Sequence, residues 1–170
     1  MELITERLRL RPFVAADGPV MHDIYADPRV MRHVGHGPHR TMSETTVALR
    51  AYGDMLARRG FSFLAVEELA TGRVIGDAGL HPLGGTGPEI ELGYTLARDV
   101  WGKGYATELG RALVLHARTV LGVPEVVAQV EPGNVASRHV LEKLGMRERE
   151  VRTAYGRPHL LYAMGPQAAR

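Results

Sequence analysis

The stretch that most limits how this chain can fold runs from residue 88 to residue 121, PEIELGYTLARDVWGKGYATELGRALVLHARTVL. At its start Ile90, Leu92, Tyr94 and Leu96 alternate with Glu89, Glu91, Gly93 and Thr95, the two-residue period of a strand. Further on, Ala106, Leu109, Gly110, Leu113, Val114, Ala117, Val120 and Leu121 recur at three- and four-residue spacing, which gives a helix one apolar face. Between them stands Trp101-Gly-Lys-Gly104. A strand and an amphipathic helix so close in sequence must share one core, which selects a layered fold containing both.

The remaining segments add elements of both kinds. LRLRPF (8–13) alternates as a first strand, and 17–25 reads as a short helix ending near Asp27-Pro28. A polar loop with His33, His36 and His39 follows. Thr41 and Glu44 fit a capping box, in which a hydroxyl and a carboxylate satisfy free amides at a helix start. A helix is therefore expected over 43–59, ended by Gly60. FSFLAVEE (61–68) and RVIGDAGLHPL (73–83) read as a hairpin joined by Leu69-Ala-Thr-Gly72. EVVAQV (125–130) reads as a buried strand and 134–144 as a helix with Gly145 at its C-cap. Residues 146–170 read as a hairpin turning at Tyr155-Gly-Arg-Pro158. The order is β-α-α-β-β-β-α-β-α-β-β, a mixed α/β (α+β) chain expected to form one domain over 1–170.

Composition narrows the function. Hydrophobic residues at 45% and charged residues at 24% are ordinary for globular chains and exclude disordered and fibrous classes. The formal charge is +2 and the pI about 9.1, yet no long Lys/Arg block concentrates it, so nucleic acid is not an expected partner. There is no cysteine. Disulfides, thiolate metal sites and a cysteine nucleophile are excluded, and a cytoplasmic location is expected. MELITERLRLRPF lacks a signal-peptide core and no apolar run reaches membrane-spanning length, so no membrane is expected either.

The glycines at 102 and 104 allow two readings. They permit a tight turn, or they clear space so that the unpaired amides and positive dipole at a helix start can hold a phosphate. A P-loop is excluded because Gly104, not Ser or Thr, follows Gly-Lys, and a Rossmann loop would need glycine at Thr107. ELGYTLARDVWGKGYATELGRALV (91–114) with NVASRHVLEKLGMR (134–147), together with TERLRLRPF and IGDAGLHPL, resembles the GCN5-related N-acetyltransferase superfamily, and within it the Rim-type branch that acetylates ribosomal-protein N-termini. The resemblance implies a central mixed, mostly antiparallel sheet of about seven strands flanked by about four helices. It implies acetyl-CoA as co-substrate, and no metal. Trp101-x-x-Gly104-x-Ala106 falls on the family's junction motif. The resemblance thereby implies that the amides of Gly102, Lys103, Gly104, Tyr105, Ala106 and Thr107 hold the pyrophosphate, and that the backbone of Tyr94, Thr95 and Leu96 pairs with the pantetheine arm.

Acetyl transfer to an amine needs a base for the ammonium proton, a donor for the oxyanion and a proton for the departing thiolate. Glu91 is the candidate base. It shares a strand face with Glu89, and proximity or burial would raise one carboxyl's pKa; alternatively both solvate an exposed face. Asn134 fits a helix N-cap, and the resemblance adds a bond from its amide to pantetheine. The family's acid is a tyrosine seven positions beyond that asparagine, where this chain has Leu141, so Ser137 is the candidate thiolate donor. Without cysteine, direct transfer in a ternary complex is expected, lysine or serine intermediates remaining formally open. The three spaced histidines are interrupted by Gly35, Gly37 and Pro38, so they are expected to line the acceptor mouth and not to bind metal. Tyr155 and His159 are expected to face the same cleft. The resemblance leaves the amine open, a ribosomal-protein N-terminus or a small amine, and is compatible with a homodimer. Two other functions fit less of the sequence: a weakly catalytic acyl-CoA-binding or sensing domain, and a basic module for RNA or the ribosome.

Overall fold

The alternation at 88–96 is realised as a strand in the middle of one sheet in the computed structural model, which describes residues 1–165. The strands are β1 (Leu3–Ile4), β2 (Leu8–Arg11), β3 (Phe63–Glu68), β4 (Val74–Pro82), β5 (Ile90–Leu96), β6 (Val126–Val130), β7 (Arg147–Ala154) and β8 (Arg157–Met164). The helices are α1 (Gly18–Ala26), α2 (Met42–Arg59), α3 (Tyr105–Thr119) and α4 (Val135–Lys143). The sheet order is β1-β2-β3-β4-β5-β6-β8-β7. Only β5 and β6 run parallel, since α3 carries the chain back to the sheet between them, as a parallel pair requires.

The order of elements follows the sequence reading, with eight strands where about seven were expected. The added strand, β1, pairs Leu3 with Leu10 and Ile4 with Arg9 and is too short to carry a period. The final turn is tighter than read. Only Tyr155 and Gly156 lie between β7 and β8, both left-handed at φ 53° and 72°, and Arg157 and Pro158 already belong to β8. The end of the expected hairpin, 166–170, lies outside the described residues.

Side-chain alternation divides the core. Leu64, Leu80 and Leu92 face α3, whose Leu109 and Leu113 are fully buried against them. The opposite face carries Ala65 and Val74 under α1, which buries Met21, Ile24 and Tyr25. Each fully buried leucine contributes about 1.5–3 kcal/mol of apolar transfer, so these two layers hold the sheet rigid. The α2 cap forms as the pattern predicts. Thr41 Oγ1 accepts from the Glu44 amide at 3.2 Å, although Glu44 reaches back to the Arg40 amide (2.6 Å) and not to that of Thr41.

Two glycines should respond in opposite ways to alanine. A Cβ at Gly79 in β4 would lie 2.2 Å from the Ser62 carbonyl oxygen and 2.5 Å from Phe63 Cα, whereas one at Gly53 in α2 would meet nothing within 4 Å. Gly79→Ala should cost about 2 kcal/mol or more through backbone collision, and Gly53→Ala should add about 0.5–1 kcal/mol through helix propensity. Urea unfolding of the two variants measures both; equal signs would refute the placement of Gly79.

Candidate functional site

The site begins where the parallel pair comes apart. β5 and β6 are in register only at Ile90–Val126 and Glu91–Val127, after which β5 stays with β4 and β6 with β8. The Ala97 amide bonds the Ile75 carbonyl (2.8 Å). Alternate residues Thr95 and Ala97 therefore turn their backbone to β4, while Tyr94 and Leu96 turn theirs to the gap. The gap opens into a cleft of about 810 Å³ lined by Tyr94, Thr95 and Leu96, the 102–107 junction and the start of α4. Thr95 borders the cleft, but its backbone and hydroxyl bond the Asp77 carboxylate. The Leu96 carbonyl is occupied too, accepting the Trp101 indole N–H at 2.9 Å. Trp101 thus fastens the junction to the end of β5.

At the junction Gly102 and Gly104 are left-handed, φ 77° and 82°. The first intrahelical acceptor is the Gly104 carbonyl, bonded by the Glu108 amide at 3.1 Å, which leaves the amides of the first turn of α3 pointing out of the helix end. A Cβ on Gly102 would meet nothing within 4 Å, and one on Gly104 would be 3.6 Å from Arg7 Nη2. Backbone conformation explains both glycines, and the space beside them is open to a ligand. Tyr105, Ala106 and Thr107 line that space; Lys103 does not. The Lys103 carbonyl accepts from Arg7 Nη1 (2.9 Å), and its ammonium lies 5.8 Å from the Tyr105 ring. The cations that do line the cleft are Arg29, Arg32, Arg98 and Lys143. They come from three separate segments: Arg29 and Arg32 from the loop after α1, Arg98 from the turn after β5 and Lys143 from the end of α4.

Asn134 caps α4 by accepting the Ser137 amide at 3.2 Å and also lines the cleft. Ser137 Oγ accepts a hydrogen bond from the Tyr94 hydroxyl at 3.1 Å. Leu141 is buried in the core at 3% exposure. Arg138 reaches Tyr162 and the Pro132 carbonyl and does not line the cleft.

Glu91 sits at the crotch of the gap. Its Oε1 accepts the Gln129 amide (3.1 Å), on the edge of β6 that β5 no longer covers. Burial, opposed by that bond, pushes its carboxyl up to about 7. Glu89 does not join it. Arg152 and Arg149 hold Glu89 in ion pairs at 3.1 and 2.9 Å, their hydrogen bonds outweighing a small desolvation and keeping its carboxyl below the usual range. Of the two causes expected for a raised carboxyl, burial is the one that operates.

Two residues of β4 escaped the sequence reading. His81 Nε2 lies 3.3 Å from Glu91 Oε2, and its Nδ1 is 3.0 Å from the Pro82 carbonyl. A carbonyl only accepts, so Nδ1 carries the hydrogen and the neutral ring turns its lone pair on Nε2 toward Glu91. Burial lowers the His81 pKa, which favours that neutral ring. Asp77, 2% exposed, accepts from the Tyr25 hydroxyl and from Thr95, and Tyr52 bonds Tyr25 in turn. Burial pushes Asp77 up to about 7 against those bonds. The alternation of residues 73–83 did put Asp77 and His81 on one face; missing was the register that sets His81 beside Glu91 and Asp77 beside Thr95.

The three histidines separate. His33 lines the cleft and its Nδ1 is 2.8 Å from Glu131, which also pairs with Arg157 at 2.6 Å. His36 packs edge-on against Tyr155 at 5.1 Å, while His39 packs against Tyr25 and bonds Thr45. No group of three or more His, Asp or Glu side chains placed to hold a metal occurs among the described residues. Tyr155, 6.0 Å from His159, has its phenol pushed up by burial and by the charge of Glu91. Neither Tyr155 nor His159 is among the residues that line the cleft.

Comparison with known proteins gives a consistent result. Residues 7–147 match the family model described as an acetyltransferase (GNAT) domain. The N-acetyltransferase p20 of Bacillus licheniformis is 29% identical over 159 residues, covering 91% of this chain and 89% of that protein. A crystal structure of an acetyltransferase from Agrobacterium tumefaciens superposes with a TM-score of 0.83 at 32% identity, covering 96% of this chain and 94% of that one. The ribosomal L7/L12 alpha-N-protein acetyltransferase RimL, solved in complex with coenzyme A, shares the fold at a TM-score of 0.78 and 16% identity, covering 96% and 97%.

The buried Asp77 should make stability depend on pH. Its folded pKa, about 7, lies above the ordinary 3.8, so the folded state keeps a proton that the unfolded chain releases. Stability is fully present below about pH 4 and falls as pH rises to about 7, by an amount on the order of 2–4 kcal/mol. Asp77→Asn, which keeps an acceptor for Tyr25, should remove that part of the slope. Urea unfolding at about pH 5 and about pH 8 reads the difference, and equal slopes in the two proteins would overturn it.

Proposed function

The chain belongs to the GNAT acetyltransferase family, and on that premise we propose that it transfers an acetyl group from acetyl-CoA directly to a primary amine within a ternary complex. The observation that carries this reading is the Glu91 carboxyl, buried at the crotch of the β5–β6 gap with its pKa at about 7. A carboxylate so placed takes a proton from an ammonium near neutral pH far better than an ordinary glutamate. The thioester supplies an activated acyl carbon and a thiolate leaving group.

The fit of the cleft supports acetyl-CoA as the donor. Free amides of the first α3 turn and open space beside Gly102 and Gly104 suit a pyrophosphate. The cations that line the cleft suit the phosphates, and the backbone of Tyr94 with the amide of Leu96, both turned to the gap, suits an amide-bearing arm. Asn134 and Ser137 border the same path from α4. Glu91 is the base, with the lone pair of His81 next to it to receive the proton onward. Ser137 is the donor to the departing sulfur. Absence of cysteine from the chain favours direct transfer over an acyl-enzyme. The acceptor is a protein N-terminus or a small amine that reaches Glu91 past Tyr155 and His36.

Calorimetric titration with acetyl-CoA tests the donor. Wild type should bind, and Gly104→Val, which forces a β-branched residue into a left-handed position at φ 82°, should weaken binding at least about tenfold. Unchanged affinity in that variant would remove the phosphate-loop assignment. Thiol release against peptide N-termini, amino acids and polyamines tests the chemistry. The base must be ionised to act, so kcat/KM should rise as pH passes through about 7. Glu91→Gln should lower it about 100-fold or more and abolish that limb. A variant as active as wild type across the pH range would end the case for Glu91.

A further inference from the structure

The Tyr94–Ser137 contact contains more than the acetyl-transfer reading has used. Leu141, buried in the core, gives α4 no phenol to place in the cleft. Ser137 alone is a weak source of a proton, because an alcohol ionises far above a thiol, which does so near 8.5. A phenol, near 10, is far closer to the thiol. The structure brings one to that spot from a different element. Tyr94 projects from β5 across the gap and donates to Ser137 Oγ at 3.1 Å. The serine oxygen accepts in this bond, and no described residue takes its own hydrogen. Both side chains line the cleft.

We propose that Tyr94 is the positioning residue behind Ser137, its phenol orienting the serine hydroxyl toward the departing sulfur and restoring the proton that the serine gives up. This rests on the acetyl-transfer reading. Glu91 first takes the ammonium proton and releases it to solvent; the free amine then forms the new C–N bond, and its nitrogen gives Glu91 a second proton. The C–S bond breaks with its electron pair left on sulfur, the sulfur takes the Ser137 hydrogen, Ser137 takes that of Tyr94, and solvent returns a proton to the phenolate. Burial pushes the Tyr94 pKa up, so the phenol is protonated and able to donate at neutral pH.

The test uses coenzyme A, the only thiol in a mixture with a protein that has no cysteine. Hydroxyls aimed at the sulfur stabilise its thiolate, so the bound thiol should ionise at lower pH than the free one. Acetyl-CoA, whose sulfur cannot ionise, is the internal control. In wild type the ratio of the acetyl-CoA Kd to the coenzyme A Kd should rise at least about twofold from about pH 7 to about pH 9.5, the effect of a half-unit shift. Tyr94→Phe and Ser137→Ala should each flatten that rise, and the double variant should flatten it no further, each variant being read against its own acetyl-CoA Kd at the same pH. A rise that persists in Tyr94→Phe, one absent from wild type, or losses that add would overturn the proposal, as would loss of acetyl-CoA binding in Tyr94→Phe. Failure of wild type to bind acetyl-CoA would instead bring down the acetyl-transfer reading with it.

Discussion

Everything distinctive in this molecule depends on a pairing that stops early. β5 and β6 share two register positions and then separate, although each remains fully paired on its other side. A sheet interior normally has no free edge, and an open edge attracts any strand-like partner. Here the free edge is internal, walled by α3 and α4, and reachable only by something thin that can hydrogen-bond as a strand does. The polar ends of the gap follow from the same separation. Where β5 leaves β6, the Gln129 amide loses a strand partner and takes Glu91. Where β5 ends, the chain must turn before α3, and the turn exposes the helix amides.

The two buried carboxyls near the gap show how site and stability are in tension. Glu91 and Asp77 are both held at about 7 mainly by burial. Asp77 sits in a closed network with Tyr25, Tyr52 and Thr95 that ties α1 to the sheet beside the cleft. Glu91 has one backbone donor and one imidazole neighbour, leaving unused acceptor capacity for a visitor. The same desolvation serves packing in one case and chemistry in the other, and satisfaction of the remaining lone pairs separates them.

Periodic and local features were legible in the sequence, whereas cross-strand facts were not. The strand at 88–96, the helix face from Ala106 to Leu121, the Thr41 cap and the Asn134 cap are written within a few residues of themselves, and all formed. So was the face carrying Glu91. Its neighbours depend on register: Glu89 is taken by arginines of β7, and His81 arrives from β4. The Lys103 ammonium stands near the Tyr105 ring and its carbonyl accepts from Arg7, contacts that its place in the motif does not announce. The short strand β1 has no period to read. The Tyr94 hydroxyl was hidden for the same reason as His81, since nothing in the order of residues says that β5 and α4 meet there.

The wall that would select an acceptor is built differently from the wall that would hold the donor. The donor side consists of regular elements, a strand edge and two helix starts, whose geometry any sequence with the right periods reproduces. The acceptor side rests on a two-residue turn in which Tyr155 is the only non-glycine residue with positive φ among those described. A left-handed tyrosine costs about 1–2 kcal/mol relative to glycine, and such strain persists where the surroundings over-determine it. They do so here: His36 and His159 flank the ring, and Arg157 in the next strand binds the Gly35 carbonyl and Glu131, fixing the 32–40 loop against the hairpin. A ring held at that cost beside Glu91 is better explained by what it contacts than by the turn it occupies.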